Sequence, residues 1–251
     1  MKRKLWILVI LLLMVLSTGG FINYKYFHHQ SELKVDNQIP TSVLSPTISP
    51  QTSVPKSTES PLPASYIIEN FPFQSQAPLG DWDELHDEAC EEAALILVNY
   101  YLNQKPLNAE IMDAEIQKMV AWEVETFGSH KDLTLEELAE IADQYYHMTN
   151  YNLKNNVDID DIKTEIAQGH PVIIPTAGRL LGNPYFRSPG PIYHMLVVIG
   201  YEGNNIIVQD IGTRRGNYYT YNQKVLLNAL HDWTGNPETI DEGSKAMLVF
   251  Y

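Results

Sequence analysis

The sequence predicts an α+β domain, with an N-terminal helical part packed on an antiparallel sheet. Three observations carry this. Residues 89 to 168 show helical spacing and helix-start signals, and the residues after 170 switch to short apolar runs rich in β-branched side chains. The Gly203-Asn204-Asn205 turn then joins two of those runs too tightly for anything but an antiparallel pair.

The elements follow in order. Ala89 to Leu102 is rich in Ala, Leu, Ile and Val and reads as an amphipathic, apolar-rich helix. Asn108 to Val124 places Ile111, Ala114, Met119 and Trp122 at roughly helical spacing. Thr134 and Glu137 form a capping box that opens a helix to Tyr146. Asp158 caps a short helix to Gln168, which Gly169 ends. Val172 to Thr176 is a short strand. Met195 to Tyr201 is a continuous apolar run, hence a buried strand, and Ile206 to Asp210 returns beside it. Tyr218 to Tyr221 is a further strand, Gln223 to Trp233 a helix, and Ala246 to Phe250 a terminal strand.

Ahead of this domain lie two segments of different character. Residues 1–30 carry Lys2, Arg3 and Lys4, then an apolar run from Leu5 to Leu16, a signal peptide or membrane anchor. Extended to Ile22 the run is just long enough to span a bilayer, and the basic flank would stay in the cytoplasm. Residues 31–65 hold six prolines among Ser and Thr, cannot bury a core, and read as a disordered linker. As polyproline II it would reach on the order of 90 Å. The expected organisation is therefore an anchor over 1–30, a linker over 31–65 and a catalytic domain over 66–251. The expected location is the cell membrane, single-pass with the domain outside the cytoplasm, or secretion if the signal is cleaved.

The formal charge is −14. The first 30 residues hold four of the 17 Lys and Arg and none of the 31 acidic residues, so the remainder is more acidic still. An exported domain of that sign is a poor partner for nucleic acid. Solubility is the simplest reason for the charge, and a preference for cationic substrates is the sharper one.

Cys90 is the single cysteine of a chain that begins with an export signal. Exported proteins usually pair their cysteines, so a lone thiol suggests an intermolecular bridge or a reactive group. It falls where a helix begins, a position that favours thiolate, although Glu91 and Glu92 beside it push the other way electrostatically. The plain alternative is a small buried apolar side chain. A thiol nucleophile needs a base and a group to orient that base. His28 and His29 flank the apolar run, His86 is four residues from Cys90, and His130, His147 and His231 lie in polar stretches where exposure is the default. His194 opens the most apolar strand, where a polar ring must be paired. Counting outward from the hairpin brings Asp210 level with residues 194 to 196. An acid there would hold the imidazole tautomer, or simply end a strand before Ile211-Gly212. Gln76, with Gln74 as its rival, lies in a Pro-rich loop ahead of Cys90 and offers an amide donor for an oxyanion.

Four segments together resemble the peptidase family thirty-nine-like domains, papain-like relatives of the double-glycine leader peptidases. They are Phe71-Pro-Phe-Gln-Ser-Gln-Ala-Pro with Trp82, Glu88-Ala-Cys-Glu-Glu-Ala-Ala-Leu, Tyr193-His-Met-Leu-Val-Val-Ile-Gly-Tyr, and Val208-Gln-Asp-Ile-Gly-Thr-Arg-Arg-Gly. The resemblance spans about residues 66–251. It implies a papain-like cysteine peptidase fold, with Cys90 as nucleophile, His194 as general base, Asp210 as the orienting acid and Gln76 as the oxyanion glutamine. Two departures bear on the substrate: Cys90 is followed by Glu91-Glu92 where Gly is common, and Asp210 by Ile211 where Pro is frequent. The Gly/Pro-rich segment from Ala177 to Pro191 has the make-up of a substrate-binding loop.

The expected function is a membrane-anchored or secreted cysteine peptidase acting through a Cys-His-Asp triad. The alternatives are a cell-wall peptide amidase or transpeptidase with the same triad, and a non-catalytic papain-like binding domain. The expected partners are a peptide, protein or cell-wall peptide substrate and, through the N-terminus, the membrane. No phosphate loop, cofactor fingerprint or metal-ligand spacing is legible, so neither cofactor nor metal is expected; Asp81, Asp83, Glu84 and Asp87 are too ordinary a run for calcium.

Overall fold

The computed structural model describes residues 61–251. The apolar run and most of the linker lie outside the described residues. Among the described residues no helix is long and apolar enough to cross a membrane.

The helical part comprises α1 (Glu84–Asp87), α2 (Cys90–Leu102), α3 (Ala109–Phe127), α4 (Leu135–Tyr146) and α5 (Ile159–Ala167). Their starts are written in the sequence. Asn108 accepts from the Ile111 N–H, and Thr134 with Glu137 and Asp158 with Asp161 each close a capping box. Gly128 ends α3 and His147 ends α4, both in left-handed backbone.

Seven antiparallel strands form the sheet: β1 (Ser65–Ile67), β2 (Tyr151–Asn155), β3 (Val172–Ala177), β4 (Tyr193–Glu202), β5 (Asn205–Gln209), β6 (Tyr219–Asn222) and β7 (Ala246–Phe250). The order is β2-β7-β3-β4-β5-β6, with β1 beside the end of β4. β4 is buried from Tyr193 to Tyr201, so both its faces are covered. On such a strand every Val and Ile is fully desolvated, about 1.5–3 kcal/mol per side chain. Helix α2 packs against it, with α3 and α4 around α2, and α5 also packs on β4.

Several expectations change in detail. α2 is not amphipathic. Residues 90–100 are all buried, Glu91 and Glu92 included, because the helix is enclosed by β4, α3 and α4. β3 runs through Pro175 to Ala177. Its pairing with β7 stops at Ile173, and Pro175 sits on that side, its carbonyl accepting from the His231 N–H, so no ladder bond needs the missing amide. Helix α6 (Gln223–Ala229) ends four residues early, because Leu230 turns extended to bridge Thr176. β1 and β2 are additional. The first is three residues long, and the second carries Asn and Lys on an edge, so neither shows an apolar run.

The hairpin sets up the site. Glu202 pairs Asn205 across the two-residue turn, and a bulge between Val198 and Gly200 shifts the register so that Gln209 faces Val197. One further step places Asp210 level with Leu196. His194, two residues along on the same face, becomes its diagonal neighbour.

Candidate active site

Cys90 is the first residue of α2. The turn that delivers it is tied down from three sides. The His86 ring lies between Asp83 Oδ1 at 2.7 Å and Asp113 Oδ1 at 3.0 Å, which fixes α1 to α3. Gln76 Nε2 donates to the carbonyls of His86 at 2.8 Å and Asp87 at 3.1 Å. The Gln76 N–H donates to Ile211 O at 2.9 Å, joining this turn to the end of β5.

His194 and Asp210 meet beneath that turn. His194 Nε2 and Asp210 Oδ1 are 2.9 Å apart, and both side chains are sealed from water. Asp210 Oδ1 also accepts from the Gly212 N–H at 3.1 Å. Its Oδ2 accepts from Asn183 Nδ2 at 2.8 Å and the Tyr221 hydroxyl at 2.6 Å. Four donors leave the carboxylate little freedom. Because the acid takes Nε2, the proton of a neutral ring belongs there, and Nδ1 is the nitrogen left to accept another. Phe186 meets the His194 ring edge to face, with centroids 5.3 Å apart.

One open cleft of about 1150 Å³ is lined by Gln76, Cys90 and His194, with Trp82, Trp233 and Arg214 among its walls. Residues 184–192 form one side of it, the segment whose Gly/Pro content reads as a substrate loop.

The thiol departs from expectation. Cys90 Sγ donates to Glu91 Oε2 at 3.0 Å. Burial, and after it the Glu91 carboxyl, push the Cys90 thiol well above the ordinary range; the Met195 N–H acts the other way without prevailing. The favourable field of a helix start is thus outweighed by desolvation. Glu91 is itself pushed up by burial and by Glu92, while its Oε1 accepts from the Leu133 N–H at 3.0 Å. In the cleft wall, Asp132 is raised to about 6 by burial and by neighbouring Glu88.

Cys90, His194 and Gln76 therefore share one cleft, with Asp210 behind His194. Gln76 departs from expectation in one respect: its amide hydrogens point at two backbone carbonyls, because the Cys90 turn leaves those carbonyls to be satisfied. Asn183 and Tyr221 are partners that sequence reading does not single out, while Glu91 reads there as an acid set against the thiolate. Tyr221 lies in a strand of alternating aromatics and Asn183 in an irregular loop, and neither pattern marks a buried polar contact.

The model of the Peptidase_C39 like family matches residues 68–235. The chain belongs to that family. Among solved structures, a crystal structure of a candidate C39-like peptidase from Bacillus anthracis matches with a TM-score of 0.50 at 16% identity, covering 74% of this chain and 97% of that one. No curated protein matches. The C39-like domain thus has the α+β papain-like layout, a helix carrying Cys90 packed on an antiparallel sheet that carries His194.

Proposed function

We propose that this protein is a cysteine peptidase of the C39-like family, with Cys90, His194, Asp210 and Gln76 as its catalytic set. The observation that carries the reading is the buried His194–Asp210 pair, whose geometry leaves Nδ1 as the proton acceptor in the cleft that Cys90 also lines.

The Cys90 S–H proton passes to His194 Nδ1 as the sulfur attacks the carbonyl carbon of a peptide bond. Asp210 balances the imidazolium through Nε2–H. The Cys90 backbone N–H, in the first turn of α2, has no intrahelical acceptor and faces the developing oxyanion. Gln76 supplies a second donor by releasing the longer of its two carbonyl bonds, that to Asp87. His194 then protonates the leaving amine, and a thioester remains on Cys90. Water, losing a proton to Nδ1, attacks that thioester; the C–S bond breaks, the acid product leaves, and the sulfur takes the proton back from Nδ1. Because the resting thiol is held neutral, the transfer to His194 belongs to the substrate-bound state, when the cleft is filled and Glu91 yields the sulfur.

The N-terminal apolar run and its basic flank of Lys2, Arg3 and Lys4 support a domain tethered outside the cytoplasm on a Pro/Ser/Thr linker. The test is cleavage of an unfolded protein mixture by the full-length chain, with new N-termini counted by mass spectrometry. Cys90→Ala should abolish the cuts. Undiminished cutting by that variant would overturn the reading.

A further inference from the structure

Behind the cleft, three side chains from separate segments converge: Glu92 of α2, Glu123 of α3 and His130 of the loop between α3 and α4. One ligand atom from each lies within 4.8 Å of the others. Glu92 is fully buried and Glu123 is 1% exposed. Both carboxylate oxygens of Glu92, Glu123 Oε1 and His130 Nε2 are buried without a hydrogen-bond partner, although His130 Nε2 approaches Glu92 Oε1 to 3.3 Å.

Such a group is costly as it stands. A buried carboxylate without a partner loses several kcal/mol of hydration, and two together repel. A proton shared between Glu92 and Glu123 would answer part of this. It would still leave His130 Nε2 with only its 3.3 Å approach to Glu92 Oε1, short of a made hydrogen bond.

We propose that Glu92, Glu123 and His130 bind a divalent transition cation of the Zn²⁺ type. Two carboxylates, one neutral imidazole and a dication sum to zero charge, so the cation cancels what burial penalises. The donor set selects the metal. Imidazole with carboxylate suits Zn²⁺, which takes three protein ligands and a fourth group at about 2.0–2.2 Å. Ca²⁺ wants six to eight oxygens and Mg²⁺ an octahedron with retained waters, and a dry three-residue pocket offers neither.

The site is a brace and not part of the cleft chemistry. Residues two apart on a helix point about 200° from one another, so Glu92 faces away from the side that Cys90 presents. The cation would pin the start of α2 to α3 and to the loop ahead of α4. That loop reaches the cleft, since the Leu133 N–H binds Glu91 and the Leu133 carbonyl accepts from the Tyr193 hydroxyl, next to His194.

The test uses the full-length chain carrying Cys90→Ser, which removes the thiol as a competing ligand. After chelator treatment, Zn²⁺, Mn²⁺, Ca²⁺ and Mg²⁺ are titrated separately, with bound metal and the thermal midpoint as readouts. One Zn²⁺ per chain is expected, with a midpoint raised by several degrees and no such rise from Ca²⁺ or Mg²⁺. In the same background Glu123→Gln keeps the size and shape of the buried side chain and so preserves the packing. It should weaken Zn²⁺ by about 100-fold or more, as should His130→Ala. Failure of Zn²⁺ to bind at one equivalent, or equal binding by both variants, overturns the proposal.

Discussion

Gly212 lies so close to the His194 imidazole that a Cβ there would stand 2.8 Å from Cε1 and 2.9 Å from Nε2. A methyl group at that point collides with the edge of the ring that holds Asp210. The ring, held by Asp210 at that same edge and met by Phe186, whose Cε1 would itself be 2.9 Å from the Cβ, must tilt or slide. Gly212→Ala should therefore lower kcat/KM by about 100-fold, the scale of an ångström's misplacement of a reacting group. Imidazole chemical shifts would report the displacement directly. A variant with wild-type rate and unshifted His194 signals would contradict it.

Asp210 is held by donors that do no chemistry of their own. Tyr221 gives it a 2.6 Å bond and Asn183 a 2.8 Å bond, both to Oδ2. Tyr221→Phe removes one donor to a buried carboxylate, at about 1.5–3 kcal/mol of stability. Urea denaturation measures that loss. The carboxylate also gains freedom to rotate away from His194, so kcat should fall more than KM rises. Equal stability in the two proteins would show that the bond carries little.

The fold was legible where local signals are strong, at the capped helices and the apolar strands. Asn108, Thr134 and Asp158 cap their helices as their side-chain chemistry requires. At the candidate site, Cys90, His194 and Asp210 could be picked out because each breaks a local pattern: a lone thiol, a ring on an apolar strand, an acid closing a hairpin. Glu91 and Glu92 were legible as acids beside the thiol but not as buried ones. In a first helical turn acids look like ordinary dipole partners, and only the enclosure of α2 turns them into buried charges. His130 was hidden for the same reason: its surroundings come from a helix 38 residues earlier, and the sequence around it reads as exposed loop. Long-range burial, and not local propensity, decides these positions.

A pH effect on stability follows from Glu165. Burial raises its carboxyl, but bonds from Lys154 and from His170 at 2.9 Å outweigh that and hold it below the ordinary carboxylate range. A carboxyl that is more acidic in the folded chain than in the unfolded one stabilises the fold above its unfolded value of 4.5. That contribution is lost as pH falls through the folded value. Glu165→Gln should thus be less stable than wild type at pH 7, by about 1 kcal/mol or more. The gap should close on acidification below pH 4.5. Thermal midpoints at pH 7 and at several values below pH 4.5 test this, and a gap that persists or widens there would refute it.

Gln76 holds the Cys90 turn through two carbonyls while its Oε1 is buried without a partner. A clamp and an oxyanion donor differ in what their loss does. Removing a clamp costs stability, because the carbonyls of His86 and Asp87 lose their donor, about 1–3 kcal/mol. Removing an oxyanion donor lowers kcat by about 100- to 1000-fold with KM little changed. Gln76→Ala should do both. In Gln76→Glu a carboxylate repels both the carbonyls and an oxyanion, so stability and activity should each fall at least as far as in Gln76→Ala. Rates on a fluorogenic peptide and urea midpoints for the two variants separate the roles. A kcat within a few-fold of wild type in Gln76→Ala, alongside a lowered midpoint, would leave Gln76 as a clamp and remove it from the catalytic set.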